Sequence, residues 1–158
     1  MFNSKCDMCE VIEQIKNNEN PWFVKEFKTG YAILGWNQHF YGYTLFICKK
    51  HVVELFELDE DYRMEYCNEM SVLAQAVKNA FKAEKINYEC LGNGDAHLHW
   101  HIFPRKKGDL GEYGMNGKGP VWWLPPEIMW DDNNKPDVEE LEHMKINLKF
   151  EIEKLLDR

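Results

Sequence analysis

Hydrophobic positions recur along the chain at two spacings, and the switches between them mark its elements. Between Asp59 and about Glu84, Tyr62, Tyr66, Met70, Leu73, Val77 and Phe81 return every three or four residues, which predicts one long amphipathic helix. Asp59 stands where a carboxylate caps the first free amides of that helix. The same period in Val138, Leu141, Met144, Leu148, Ile152 and Leu155 predicts a C-terminal helix. A shorter helix over residues 10–17 runs into Asn17-Asn18-Glu19-Asn20-Pro21, where turn formers and proline end it. Elsewhere the pattern is that of strands: 22–27 and 31–36 around a Lys28-Thr29-Gly30 hairpin, then 43–48, 88–92 and 98–103. The last two are joined through the tight turn Gly92-Asn93-Gly94-Asp95. From Pro104 to about Pro136 there is no period, and a loop of that length either serves a function or packs on something.

Composition narrows the class. A chain of 158 residues that is 44% hydrophobic and 29% charged fits one compact unit over 1–158: a core over about 6–105, an irregular Trp-, Pro- and Gly-rich segment over 106–136, and a helix over 137–158. No apolar run has the length of a membrane span, so no membrane partner is expected. The formal net charge of −8, with basic residues scattered among acidic ones, leaves no footprint for long nucleic acid. Arg105-Lys106-Lys107 is the one locally basic run, and it reads as a solvated turn. Met1-Phe2-Asn3-Ser4-Lys5 lacks the layout of a secretory signal, and five cysteines cannot all pair within one chain; both point to the cytoplasm.

The chemistry concentrates in His97-Leu98-His99-Trp100-His101-Ile102-Phe103. Side chains alternate along a strand, so the three histidines share a face opposite Leu98, Trp100 and Ile102. A single metal ion does not suit all three, because His97 and His101 start about 13 Å apart at the rise of a strand. A division of labour fits better. Cys6-Asp7-Met8-Cys9 has the spacing of a redox pair or of half a zinc site; no βαβ pattern surrounds it, which disfavours the redox role. His39 is one candidate further ligand, and Cys48, Cys67 and Cys90 read as buried small apolar residues. Trp122, Trp123 and Trp130 read either as cover for a ligand or a second chain or as core; aromatic clusters are most often core, so no role in the site is assigned to them.

The histidine run resembles the signature of the histidine-triad (HIT) family, His-φ-His-φ-His-φ-φ with every φ apolar, continued by Pro104-Arg105. Upstream, Tyr41-Gly42-Tyr43-Thr44-Leu45-Phe46-Ile47-Cys48-Lys49-Lys50-His51 is similar to the family's Pro-Gly-His-x-Leu-Val-Ile-Pro-Lys-x-His segment. The resemblance covers about residues 6–105. It implies an α+β fold with a five-stranded antiparallel sheet, a homodimer, and action on nucleoside phosphates such as dinucleoside polyphosphates. It implies His99 as nucleophile, forming a nucleotidyl-histidine that water opens, with His101 donating to phosphate oxygens. Transfer to another acceptor such as phosphate, or a non-catalytic nucleotide-binding module, are the alternatives. Asn37 falls where relatives present an asparagine to the ribose, although Gly35 replaces an acidic residue common there. Asn93 falls where relatives offer an amide to the phosphate, and serves equally as a turn former. Zinc-containing relatives imply a structural Zn2+ held by Cys6, Cys9, His51 and His97.

Overall fold

A computed structural model describes residues 6–114 and 118–157. The reading of Met1 to Lys5 lies outside the described residues. Helix α1 (Asp7–Lys16) leads to strands β1 (Phe23–Glu26), β2 (Gly30–Leu34) and β3 (Thr44–Cys48). Helix α2 (Glu60–Phe81) then precedes β4 (Lys85–Glu89) and β5 (His99–Arg105). A short helix α3 (Pro126–Met129) and the long α4 (Val138–Leu156) complete the order. The strands form one antiparallel sheet in the order β1-β2-β3-β5-β4, so β5 lies inside the sheet beside β3.

Both faces of this sheet are buried. Ala32, Leu34, Phe46, Cys48 and Ile102 point to one side, against Leu73, Ala76 and Val77 of α2 and Leu148 and Ile152 of α4. Tyr31, Ile33, Leu45, Ile47 and Phe103 point to the other, where Val11, Ile12 and Ile15 of α1 meet Leu110, Val121, Leu124 and Met129. The segment after Pro104 is thus not an appendage. Four apolar side chains anchor it, and it completes the core on the histidine face as a series of single turns around α3.

Several boundaries differ from the sequence pattern for local reasons. Helix α1 starts at Asp7 because Cys6 acts as its cap, with Sγ accepting from the Cys9 amide at 3.4 Å, a role sequence rules give to Ser, Thr, Asp and Asn. Helix α2 stops at Phe81 because Lys82 adopts a left-handed conformation with φ 53°, closing the helix without a glycine. Strand β4 covers 85–89 rather than 88–92; Ile86 alone among its residues is buried, so it shows almost no alternation. Its link to β5 therefore spans 90–98 and is a loop instead of a tight turn. Glu69 of α2, nearly buried, accepts from the amides of Lys28 at 2.8 Å and Thr29 at 2.9 Å and from the Thr29 hydroxyl, tying the helix to the β1–β2 hairpin.

Candidate functional site

The register of β3 against β5 places Ile47 opposite His99 and Leu45 opposite His101, on the face shared with α1 and the tail. Just before the strand, His97 is fully buried, and the Leu98 amide donates to the Val52 carbonyl at 2.7 Å, which fixes the turn into β5. The three histidines then separate into two sites.

His97 turns toward the N-terminal cysteines. The ligating atoms of Cys6, Cys9, His51 and His97 all lie within 4.8 Å of one another. His97 Nδ1 stands 3.4 Å from Cys6 Sγ, 3.5 Å from Cys9 Sγ and 3.2 Å from His51 Nδ1, and Cys9 Sγ is 3.2 Å from His51 Nδ1. A tetrahedral ion bound by two sulfurs and two nitrogens has ligand-to-ligand edges of about 3.3–3.8 Å, so this donor set fits such an ion. His97 Nε2 donates to the Cys48 carbonyl at 2.8 Å, which leaves Nδ1 free to ligate. Burial first, and the neighbouring Cys6 second, push the Cys9 thiol up to about 11. His39 is elsewhere, with Nε2 3.4 Å from the Asp109 carbonyl oxygen.

His99 and His101 face each other, Nε2 to Nε2, at 3.1 Å. His99 Nδ1 lies 2.6 Å from the His97 carbonyl oxygen. A carbonyl only accepts, so Nδ1 carries the proton and Nε2 turns its lone pair toward His101. The facing nitrogen of His101 then carries the proton, and its Nδ1 accepts from the Tyr43 hydroxyl at 2.6 Å. Burial lifts the Tyr43 pKa well above its usual value, so the hydroxyl keeps its proton. Burial first, and His99 second, lower His101 to about 4, which keeps that ring neutral near pH 7. The chain of bonds from Tyr43 through His101 to His99 and His97 thus has one self-consistent proton arrangement, and it ends in a nucleophilic nitrogen beside a hydrogen-bond donor.

The remaining predicted residues sit differently. Asn93 is exposed at the rim of a cavity of about 240 Å³ that His97 and His99 also line. Asn37 is buried and committed to the protein: its amide donates to the Asp131 carbonyl at 2.6 Å and accepts from the His39 amide at 3.1 Å. The first of these bonds ties the tail to the loop after β2. Arg105 is no solvated turn residue. It is buried, paired through Nε and Nη2 with both carboxylate oxygens of Asp109 at 2.6 and 2.9 Å, and bonded to Asn87 and the Gly119 carbonyl. Of the other cysteines, Cys48 is buried as expected, but Cys67 is half-buried and Cys90 exposed.

Sequence reasoning missed Tyr43, Trp122 and Trp130. Tyr43 was within reach, since it occupies the histidine position of the Pro-Gly-His segment. Its ring stacks on Phe103 at 4.3 Å and lies parallel to His101, and a Cβ at position 35 would meet it at 2.1 Å, so only glycine fits there. Trp122 stands nearly perpendicular to His101 at 6.3 Å between ring centres, and Trp130 lies 6.4 Å from Tyr43. No periodicity pointed to either tryptophan.

The HIT domain model matches residues 17–108. The chain belongs to the HIT domain family. It is 31% identical over 97 residues to Protein hit of Bacillus subtilis, a match that spans 58% of this chain and 62% of that protein's length. Among solved structures it is similar to a hypothetical histidine triad nucleotide-binding protein of Sulfolobus tokodaii, with a TM-score of 0.68, 26% identity, and coverage of 95% and 93% of the two chains. It also shares the fold of a zinc-bound histidine triad family protein of Mycobacterium smegmatis, with a TM-score of 0.65, 19% identity, and coverage of 97% and 96%. The HIT match leaves Cys6, Cys9 and both site tryptophans outside it. Among the described residues no helix is long and apolar enough to cross a membrane.

Proposed function

We propose that the protein is a nucleotidyl hydrolase that cleaves a phosphoanhydride or phosphoramidate at the α-phosphorus of a nucleotide. The observation that carries this reading is the His99 geometry: Nδ1 tied to the His97 carbonyl and the Nε2 lone pair facing a donor. The Nε2 lone pair forms a bond to phosphorus as the bond to the leaving group breaks and its electron pair departs with that group. The positive charge that develops on the ring is relieved by Nδ1–H donating to the carbonyl. His101 Nε2–H, held by Tyr43 in that tautomer, donates to a phosphoryl oxygen as charge builds there. Water then attacks phosphorus from the vacated side, and the N–P bond pair returns to His99. Asn93, at the cavity rim, offers its amide to the phosphate chain.

The cysteine–histidine cluster holds a structural Zn2+ in this reading, through Cys6, Cys9, His51 and His97. Bound there, the ion would tie α1 to the start of β5, where the His97 carbonyl orients His99. The chain works as a homodimer; the free edge of β4 with exposed Tyr88, and Leu91 just beyond it, supports pairing with a second copy. A cytoplasmic location accords with five cysteines, which cannot all pair within one chain.

The test is a panel of dinucleoside polyphosphates and nucleoside phosphoramidates, incubated with the wild type and with His99→Ala. At least one substrate is expected to yield a nucleoside monophosphate with the wild type, with turnover at least about 10³-fold lower in the variant, whose nucleotide binding persists. Equal turnover by the two proteins would remove His99 from the mechanism.

A further inference from the structure

We propose that the open faces of Trp122 and Trp130 form a stacking site for the base of the nucleotide whose phosphorus His99 attacks; this rests on the nucleotidyl-transfer reading above. The segment carrying them is firmly held. Val121 and Leu124 flank Trp122 and Trp123 in the core, Met129 precedes Trp130, and the backbone around Trp130 is tied down by Asn37 through Asp131 and by the Gln38 amide through Asn134 at 2.9 Å. Yet Trp122 and Trp130 each remain 43% exposed. Large apolar rings left open on an anchored segment beside a reactive group mark a ligand surface more readily than a packing surplus.

Their arrangement defines one end of the site. Trp122 meets His101 and Phe103 edge-on at 6.3 and 6.1 Å, with interplanar angles near a right angle, and lies 6.3 Å from Trp130, which in turn leans on Tyr43. The Trp122 indole N–H donates to Glu89, whose backbone pairs with His101 across β4 and β5, so the ring plane is fixed relative to that histidine. His99 also lines the cavity whose rim carries Asn93, Gly92 and Glu54 beside Val53, Leu91 and Leu98. A nucleotide lying along the row from His99 to His101 therefore meets the Asn93 cavity at one end and the exposed indoles at the other. The base goes to the indoles and the phosphate chain to the Asn93 rim. Because every base offers a flat π-face, such a platform tolerates different bases.

Trp123 supplies an internal control. It is 50% exposed, but it packs over Gly119 and makes no ring contact with the histidines. The experiment is calorimetric titration of the full-length protein with AMP and with ribose 5-phosphate, which has the phosphate and sugar but no base, together with the shifts of the purine protons by NMR. Trp122→Leu and Trp130→Leu are expected to weaken AMP on the order of ten-fold and to abolish the upfield shift, leaving ribose 5-phosphate unchanged. Trp122→Phe, which keeps a flat ring, retains most of the AMP affinity, and Trp123→Leu matches the wild type. Equal AMP affinity in Trp122→Leu and Trp122→Phe, or equal weakening of AMP and ribose 5-phosphate, overturns the stacking site. Base-dependent binding that is lost in Trp122→Leu, in a protein that turns over no nucleotide, supports the subsite and overturns the reaction instead.

Discussion

His101 shows how one side chain's setting carries a measurable consequence. Burial first, and His99 second, take its pKa from 6.5 to about 4. Between those values the unfolded chain binds a proton that the folded chain does not, so folding weakens as pH falls from about 6.5 toward 4 and is insensitive to this group above that range. The expected loss by pH 5 is about 2 kcal/mol. Urea midpoints of the wild type and of His101→Gln at about pH 7.5 and pH 5 isolate it, because the cysteine and histidine ligands titrate alike in both proteins. The wild type should lose more than the variant; equal losses would mean that His101 is not held neutral. The same ring is where sequence and structure meet most closely, since alternation along a strand put His99 and His101 side by side. What alternation could not show is Tyr43, which arrives from the neighbouring strand and sets the His101 tautomer.

At the scale of elements, legibility followed how regularly each element buries its side chains. Helices α2 and α4 repeat an apolar stripe over many turns, and both were readable. Strand β4 offers one buried residue in five, so its span was misplaced by three residues. The end of α2 was unreadable because a lysine, rather than a glycine, takes the left-handed closing position. Packing between elements was equally hidden: nothing in the sequence marks Glu69 as the acceptor for the Lys28 and Thr29 amides. Glu69→Ala leaves those buried donors unpaired and is expected to cost about 2–4 kcal/mol of folding free energy. Chemical denaturation reads it directly, and a loss under about 1 kcal/mol would show that water or the backbone takes over the role.

Across the whole molecule, α1 and the stretch around α3, most of it outside the HIT match, build the second cover of the sheet. Strands β2 and β3 are buried at every position, which reports covering on both sides, but the second cover comes from α1 and a tail without period. The C-x-x-C could be read from spacing alone as half a metal site. Its partners could not, because His51 and His97 come to it through chain folding. Native mass spectrometry of protein purified without chelator is expected to give two chains with about one zinc ion each. Cys6→Ser with Cys9→Ser should carry none, and should melt lower because α1 loses its tie to β5. Full zinc occupancy in that double variant would place the ion elsewhere, and a single-chain mass would remove the dimer.

The proposed reaction passes through a covalent bond from His99 to phosphorus. Acid-free rapid quenching of the protein with a cleavable dinucleoside polyphosphate, followed by intact-mass measurement and peptide mapping, tests it most directly. One nucleotidyl group per chain, located on His99 and absent from His99→Ala, is the predicted result. Full turnover by the wild type with no adduct at any quench time, or an adduct on another residue, would contradict it.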